Sequence, residues 1–156
     1  MRQPPDIQRE IDALLASLKT VVLATVDPHG IPNASYAPYV QHGDAFYVLV
    51  SGLAKHTGNL VQTGRCHAMF VADEAGTVNP FARKRLSYAC LVSEMDRDDP
   101  RSNEILDTMA ERFGPTIQML RSLPDFRLMQ LQPGEGSLVL GFGQAIPLVA
   151  PSPGSR

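Results

Sequence analysis

The sequence predicts a mainly β protein: a closed or nearly closed barrel of about seven mostly antiparallel strands with flanking helices. Short runs of β-branched and aromatic residues alternate with turns that contain glycine and proline along most of the chain. Several of these turns are too short to hold a crossover helix, which indicates antiparallel pairing. The chain has 156 residues, enough for one domain with its own core. This strand number in a small chain favours a barrel over a doubly wound sheet.

The first third of the chain predicts a helix followed by a β-meander. Apolar residues recur at helical spacing from Ile7 to Leu18, behind an opening Pro-Pro-Asp. Strands are predicted at 20–26, 31–40 and 45–51. Asp-Pro-His-Gly at 27–30 is a turn, because proline presets φ and glycine takes the left-handed position. Pro32 and Pro38 suggest that the second strand has an interruption or an unpaired edge.

The remaining elements alternate between strands and helices. A short helix is predicted at 54–63, a strand at 65–72, a loop at 73–81 and a long strand at 82–95. Asp99-Pro100 begins a helix that Gly114-Pro115 ends, and a shorter helix then continues to about residue 123. The last strands are predicted at 126–131 and 137–148, joined by the Pro-Gly-Glu-Gly segment 133–136. Residues 1–149 are therefore expected to form one domain, and 150–156, rich in Pro, Gly and Ser, a flexible tail.

Composition excludes several classes of protein. Fourteen basic and sixteen acidic residues give a net charge of −2, which argues against a globally basic nucleic-acid-binding protein. The longest apolar runs, at 21–26 and 45–50, are far shorter than the roughly 20 residues of a membrane helix. The N-terminus has no apolar stretch typical of a signal peptide, so a cytoplasmic protein without membrane contact is expected.

Cysteine and histidine patterns offer no metal or nucleophile site. Cys66 and Cys90 lie in apolar runs and are interpreted as unreactive buried thiols. The four histidines are dispersed, so no zinc or iron site made by this chain alone is expected. Because no nucleophile motif occurs either, the sequence identifies no catalytic residue.

Two basic segments are candidate binding sites. In the first, residues 51–60, a strand ends and a helix begins, and free backbone N–H groups there favour an anion such as phosphate. Lys55 and His56 add cationic donors, and Ser51 and Thr57 add hydroxyls; simple helix capping with a solvated lysine is the alternative. In the second, Phe-Ala-Arg-Lys-Arg-Leu at 81–86, a strand would turn two arginines to one face and the lysine to the other. The alternative is a solvated strand end.

The order of these motifs resembles the FMN-binding split β-barrel superfamily, typified by pyridoxamine 5'-phosphate oxidase, and more closely its haem-utilisation branch. The resemblance covers residues 18–146. It rests on Ala-Ser-Tyr-Ala-Pro at 34–38, Phe-Tyr at 46–47, Ser51 with Leu-Ala-Lys-His-Thr at 53–57 and Asn-Leu at 59–60, the basic segment 81–86, Asp-Phe at 125–126 and Gly-Phe-Gly at 141–143.

The resemblance implies a homodimer with FMN, or in some members a deazaflavin, in the cleft between subunits. The second strand, with Ser35, Tyr36 and Ala37, would run along the flavin ring. Lys55 and His56 would hold the phosphate. Arg83 and Arg85 would reach the ribityl chain or the ring from the other subunit.

These implications lead to an FMN-binding oxidoreductase of unknown substrate as the first hypothesis. The alternatives are a haem-binding or haem-degrading protein, with Arg83 and Arg85 pairing the propionates, and a non-catalytic flavin-binding dimer. The C-terminus lacks the basic pattern expected of an oxidase acting on vitamin B6. Members of the haem-utilisation branch often ligate iron through a C-terminal histidine, whereas no histidine follows His67 here. His56, His67 or an exogenous ligand remain as candidates.

Overall fold

The computed structural model describes residues 4–149, and the predicted flexible tail at 150–156 lies outside them. The α-helices of this part are α1 (Pro5–Ser17), α2 (Lys55–Thr63), α3 (Pro100–Phe113) and α4 (Pro115–Arg121). Its strands are β1 (Thr20–Val26), β2 (Pro32–His42), β3 (Ala45–Ser51), β4 (Arg65–Val71), β5 (Arg85–Glu94), β6 (Phe126–Gly141) and β7 (Gln144–Leu148). Single 3-10 turns, Glu74–Gly76 and Pro80–Ala82, lie between β4 and β5.

The strands form one antiparallel sheet that closes into a barrel. Their order is β3-β2-β1-β4-β5-β6-β7, and β3 also pairs with β6. Six of the strands formed by residues 4–149 therefore make a closed ring, and β7 extends the sheet from the far end of β6. This architecture confirms the predicted mainly β split barrel with flanking helices.

The barrel is open along part of β2. Residues Pro32–Pro38 pair with β1, whereas only Tyr39–His42 pair with β3. Both prolines of β2 thus lie in the section that has one neighbouring strand, as proline's missing N–H requires. The predicted unpaired edge is confirmed.

The last strands differ from the predicted strands at 126–131 and 137–148. Residues 133–136 do not connect two strands, because β6 runs without a break from Phe126 to Gly141. The chain turns instead at residues 142–143, where Gly143 has φ +70°. The glycines of this part of β6 allow β5 to pack closely against it, since a Cβ on Gly134 would come 3.1 Å from the Ala89 carbonyl oxygen. Close approach of two strands, and not a reversal of direction, accounts for the glycines of this segment.

The start of β5 also differs. The strand predicted from residue 82 begins at Arg85, and Arg83 lies after the 3-10 turn Pro80–Ala82. The side chain of Asn79 caps that turn by accepting a hydrogen bond of 3.1 Å from the Phe81 N–H. The prediction that Arg83 and Arg85 share one strand face was therefore wrong in its premise, although the two residues do lie close together.

Helices cover the barrel in three places. The interior core includes Leu23, Phe46 and Phe70, and α1 packs against the same cluster through Ile11, Leu14 and Leu15. A second apolar cluster joins the outer face of β3 to α3 and α4. Helix α2 places Leu60 in the interior core. None of the helices in residues 4–149 is both long and apolar enough to cross a membrane.

Candidate functional site

The junction between β3 and α2 leaves the start of a helix without a side-chain cap. Ser51 Oγ accepts a hydrogen bond of 3.2 Å from the Leu53 N–H, and the Gly52 N–H donates to the Asp125 carbonyl oxygen at 2.6 Å. Ala54 occupies the cap position and supplies no side-chain acceptor to the first N–H groups of α2. The first turn of this helix therefore presents donors to an anion, as its sequence predicts.

His56 and Ser35 meet at this junction. Ser35 Oγ lies 2.7 Å from His56 Nδ1, joining the first turn of α2 to β2. The imidazole is half-buried, and burial lowers its pKa from the usual 6.5. The ring is therefore mostly neutral at pH 7, with Nδ1 engaged and Nε2 left for another partner.

Two buried threonines lie beneath the first turns of α2. Thr25 Oγ1 accepts a hydrogen bond of 3.0 Å from Asn59 Nδ2, and both residues are almost fully buried. Thr57 is equally buried, at 2% exposure, but its Oγ1 has no hydrogen-bond partner within residues 4–149. A buried polar atom without a partner is uncommon in a folded protein and marks this spot as a candidate contact for a bound molecule.

The other residues predicted here are arranged differently. Lys55 is exposed and is near enough to Asp27 to contribute to a lowered pKa of that carboxyl group, although the main cause is the hydrogen bond from the Ile31 N–H. Along β2, Ala37 is buried in the interior core, while Tyr36 points outwards and is 68% exposed. Of the β2 residues predicted to follow a flavin ring, Ser35 makes a hydrogen bond to α2.

Arg83 and Arg85 form a second basic group. Arg83 Nε donates to the Ala72 carbonyl oxygen at 2.6 Å, and Arg85 Nη1 donates to the Arg83 carbonyl oxygen at 2.9 Å. Both side chains are partly buried, and neither makes a salt bridge in the described part of the chain. Lys84 differs, since its Nζ lies 3.4 Å from Glu10 Oε2. The two guanidinium groups are thus fixed by backbone carbonyls but not neutralised by a carboxylate.

The two basic groups lie at different levels of the barrel wall. Ala24, His67 and Ala89 share one row across β1, β4 and β5. On β5, Arg85 lies four residues before Ala89. On β1, Thr25, whose side chain contacts α2, lies one residue after Ala24, which is the opposite direction along the barrel wall. At about 3.4 Å per residue, Thr25 and Arg85 are about 17 Å apart along the strands. His56 contacts Ser35, whose row runs through Leu23 and Ala68 to Tyr88, about 10 Å along β5 from Arg85. No hydrogen bond or ion pair within residues 4–149 joins Lys55 or His56 to Arg83 or Arg85.

Comparison with known proteins decides the family. A family model described as pyridoxamine 5'-phosphate oxidase matches residues 7–140. The chain belongs to this family. Membership agrees with the six-stranded closed ring and with the order of motifs along the sequence.

Two relatives are similar along most of the chain. The heme oxygenase HutZ of Vibrio cholerae is 42% identical over 139 residues, which is 89% of this chain and 79% of the relative. A crystal structure of Vibrio cholerae HutZ, described as a heme storage protein, has a TM-score of 0.82 at 38% identity and covers 88% of this chain and 98% of its own. ChuZ of Campylobacter jejuni has a TM-score of 0.86 at 29% identity, covering 96% of this chain and 61% of its own.

Sequence reasoning missed two features of the site. The Asn59–Thr25 hydrogen bond joins residues far apart in sequence, and no local pattern pairs them. Thr57 was noted for its hydroxyl, but only the structure shows that this hydroxyl is buried and unpartnered. The position of Thr57 between Lys55-His56 and the apolar Leu60 was the available signal.

Proposed function

We propose that this chain is a haem-binding protein of the haem-utilisation type that works as a homodimer, with haem between the protomers. The observation that carries the proposal is the 42% identity to the heme oxygenase HutZ across 89% of the chain. The structural similarity to a HutZ described as a heme storage protein supports the same ligand. Degradation and storage of haem are distinguished by the fate of the Soret band in the presence of a reductant and oxygen.

The arginines of the second basic group fit the acidic part of this ligand. A haem propionate is a carboxylate, and arginine binds carboxylates through two parallel N–H donors. Arg83 and Arg85 are already held by backbone carbonyls and have no carboxylate partner in the described chain. Little side-chain freedom is lost when such groups bind an anion, so they suit the propionates.

His56 fits the centre of the ligand. When bound, haem supplies a redox-active iron. Burial keeps the imidazole uncharged near pH 7, and Ser35 fixes Nδ1, which leaves Nε2 as a neutral nitrogen donor. The buried Thr57 hydroxyl lies one residue further along the same turn and offers a further polar contact.

The separation of these groups supports the homodimer. His56 contacts Ser35 on β2, and Arg85 lies three strands round the wall and about 10 Å further along it, at about 3.4 Å per residue. Two copies related by a two-fold axis would bring α2 of one protomer towards the arginines of the other. Exposed apolar residues on the outer wall support such contact, notably Tyr36 at 68% and Leu91 at 69% exposure.

FMN is the second candidate. The uncapped start of α2 with Lys55 offers N–H donors and a positive charge to a phosphate, and the matching family model is named for pyridoxamine 5'-phosphate oxidase. Phosphate binding at this end of the barrel and haem binding between protomers would use the same histidine. The two cofactors would therefore compete.

The test is a spectral titration of the purified protein with haemin and, separately, a fluorescence titration with FMN. Haemin should give a Soret band, and Arg83→Gln with Arg85→Gln should weaken binding at least tenfold, since a hydrogen bond to a charged group is worth about 1.5–3 kcal/mol. Lys84→Gln is the matched control, because that exposed side chain is paired with Glu10, and it should bind haemin as the wild type does.

Other results would reject the proposal. Submicromolar FMN binding that blocks haemin would favour the flavoprotein, and Lys55→Ala should then weaken FMN. Unchanged haemin affinity in the double arginine variant would contradict the proposed contacts between these arginines and the propionates. Adding a reductant and oxygen to the haem complex then distinguishes degradation, seen as loss of the Soret band, from storage, seen as its persistence. Sedimentation of a haem-competent monomer at micromolar concentration would contradict the homodimer.

A further inference from the structure

Cys66 and Cys90 face each other across neighbouring strands. They are directly paired in the antiparallel register of β4 and β5, which the sequence, with the cysteines 24 positions apart, does not reveal. Both are free thiols and both are buried, at 8% and 3% exposure. We propose that this pair is an oxidation site at which the two thiols close to a reversible intrachain disulfide.

The pairing geometry allows the bond. The Val92 N–H donates to the Gly64 carbonyl oxygen, and the Ala72 N–H donates to the Lys84 carbonyl oxygen, each at 2.9 Å. Hydrogen-bonded pairs alternate along an antiparallel ladder, so Cys66 and Cys90 form a pair of the same class, with Cα atoms about 5.5 Å apart. Disulfides span Cα separations of about 4.4–6.8 Å, and closing this one requires the Cβ atoms to approach by about 1 Å.

A small oxidant can reach the pair. Both cysteines line a cavity of about 630 Å³, whose wall also includes Thr25, His67 and Gly134. Both side chains belong to the interior core cluster, and the oxidant reaches them from this cavity, which adjoins them in the barrel wall. A molecule the size of hydrogen peroxide fits this space many times over.

The two thiols have unequal roles. The neighbouring Cys90 thiol lowers the pKa of Cys66, whereas Cys66 and burial raise the pKa of Cys90, whose thiol donates to the Tyr88 carbonyl oxygen at 3.7 Å. Cys66 Sγ attacks one peroxide oxygen, which breaks the O–O bond, releases hydroxide and leaves a sulfenic acid. Cys90, on giving up its proton, attacks Cys66 Sγ and displaces the hydroxyl group as a second hydroxide. With the two thiol protons, the products are one disulfide and two waters.

Oxidation at this position bears directly on the α2 region. Gly64, which caps the end of α2, accepts a hydrogen bond through its carbonyl oxygen from the N–H of Val92, two residues after Cys90. Drawing β4 and β5 together therefore acts on the strand segment that anchors the end of α2, the helix that carries His56. The site is independent of which cofactor binds, and its test needs none.

The experiment treats the folded, reduced protein with hydrogen peroxide, blocks free thiols by alkylation and digests with trypsin. Arginines at 65, 83, 85 and 97 place the two cysteines on separate peptides, 66–83 and 86–97. The expected product is one linked species of these peptides, 2 Da lighter than their sum, at the expense of both alkylated peptides. Dithiothreitol should restore the separate peptides, and the linked protein should remain monomeric in mass on a denaturing gel.

Controls make the result decisive. Cys66→Ser and Cys90→Ser, each with one thiol left, should give no linked peptide, and the remaining cysteine should carry added oxygen or stay alkylatable. The wild-type digest needs no variant, so it decides the matter even if a substitution prevents folding. Independent alkylation of both wild-type cysteines after peroxide treatment, oxygen addition to each without linkage, or a link only between different chains would overturn the proposal.

Discussion

Thr57 and Thr25 allow a paired test of the polar layer beneath α2. Both threonines are buried, at 2% and 3% exposure, and valine has nearly the same shape. Thr57 Oγ1 has no partner in the described chain, whereas Thr25 Oγ1 accepts the Asn59 side chain at 3.0 Å. Thr57→Val removes a hydroxyl that was desolvated without compensation, and Thr25→Val leaves a buried amide N–H without its acceptor.

The expected effects therefore have opposite signs. A buried group left unpaired costs about 1–3 kcal/mol, so Thr57→Val should stabilise the cofactor-free protein by about 1–2 kcal/mol and Thr25→Val should destabilise it by about 1–3 kcal/mol. For a chain of this size each kcal/mol moves the melting temperature by about 2–4 °C, so the variants should melt on opposite sides of the wild type. Urea unfolding should show shifted midpoints with an unchanged slope.

The same variants separate stability from binding. If Thr57 contacts a bound molecule, Thr57→Val should lose affinity in the haemin or FMN titration while gaining stability. Thr57→Ser, which keeps the hydroxyl, should retain that affinity. A destabilised Thr57→Val protein would refute the reasoning, since it would mean that the hydroxyl is satisfied in solution.

Two further predictions concern His56 and the glycines. Burial lowers the pKa of His56 below its usual 6.5, so the unfolded chain takes up a proton before the folded chain does as pH falls. The free energy of unfolding should therefore be level above about pH 6.5 and decline below it. His56→Gln should flatten that decline in urea titrations at several pH values. A Cβ on Gly136 would meet the Ser87 carbonyl oxygen and come 2.6 Å from Tyr88 Cδ1, so Gly136→Ala should cost about 1–3 kcal/mol. Gly58→Ala, which meets open space in α2, should gain about 0.5–1 kcal/mol, and equal unfolding midpoints for the two variants would contradict this account.

Local signals were sufficient where an element is bounded by its own residues. Strands 20–26 and 45–51 agree with β1 and β3 residue for residue, because β-branched runs there end at turns with their own chemistry. Asp99 begins α3 as predicted, its side chain accepting the Arg101 N–H at 2.9 Å. In these cases the hydrogen bonds that define the element come from residues within a few positions.

Local signals failed where tertiary packing decides. Pro-Gly-Glu-Gly at 133–136 has the composition of a turn, but its glycines are there because β5 passes so close that a side chain would collide with its carbonyls. Likewise the Ser35–His56 and Cys66–Cys90 contacts join residues on different elements, and their meeting depends on the barrel closing. The residue types of the site could thus be chosen from the sequence, while the contacts between elements that assemble it could not.

The barrel can close during synthesis only after β6 has been added, because β6 lies between β3 and β5. β6 pairs with β3 on one side and with β5 on the other, so both strands have an open edge until it is added. A nascent chain that ends before Phe126 has five strands and two unpaired edges, each able to recruit another chain. We expect the nascent chain to be most prone to association in this interval, because the addition of β6 pairs both open edges and closes the ring.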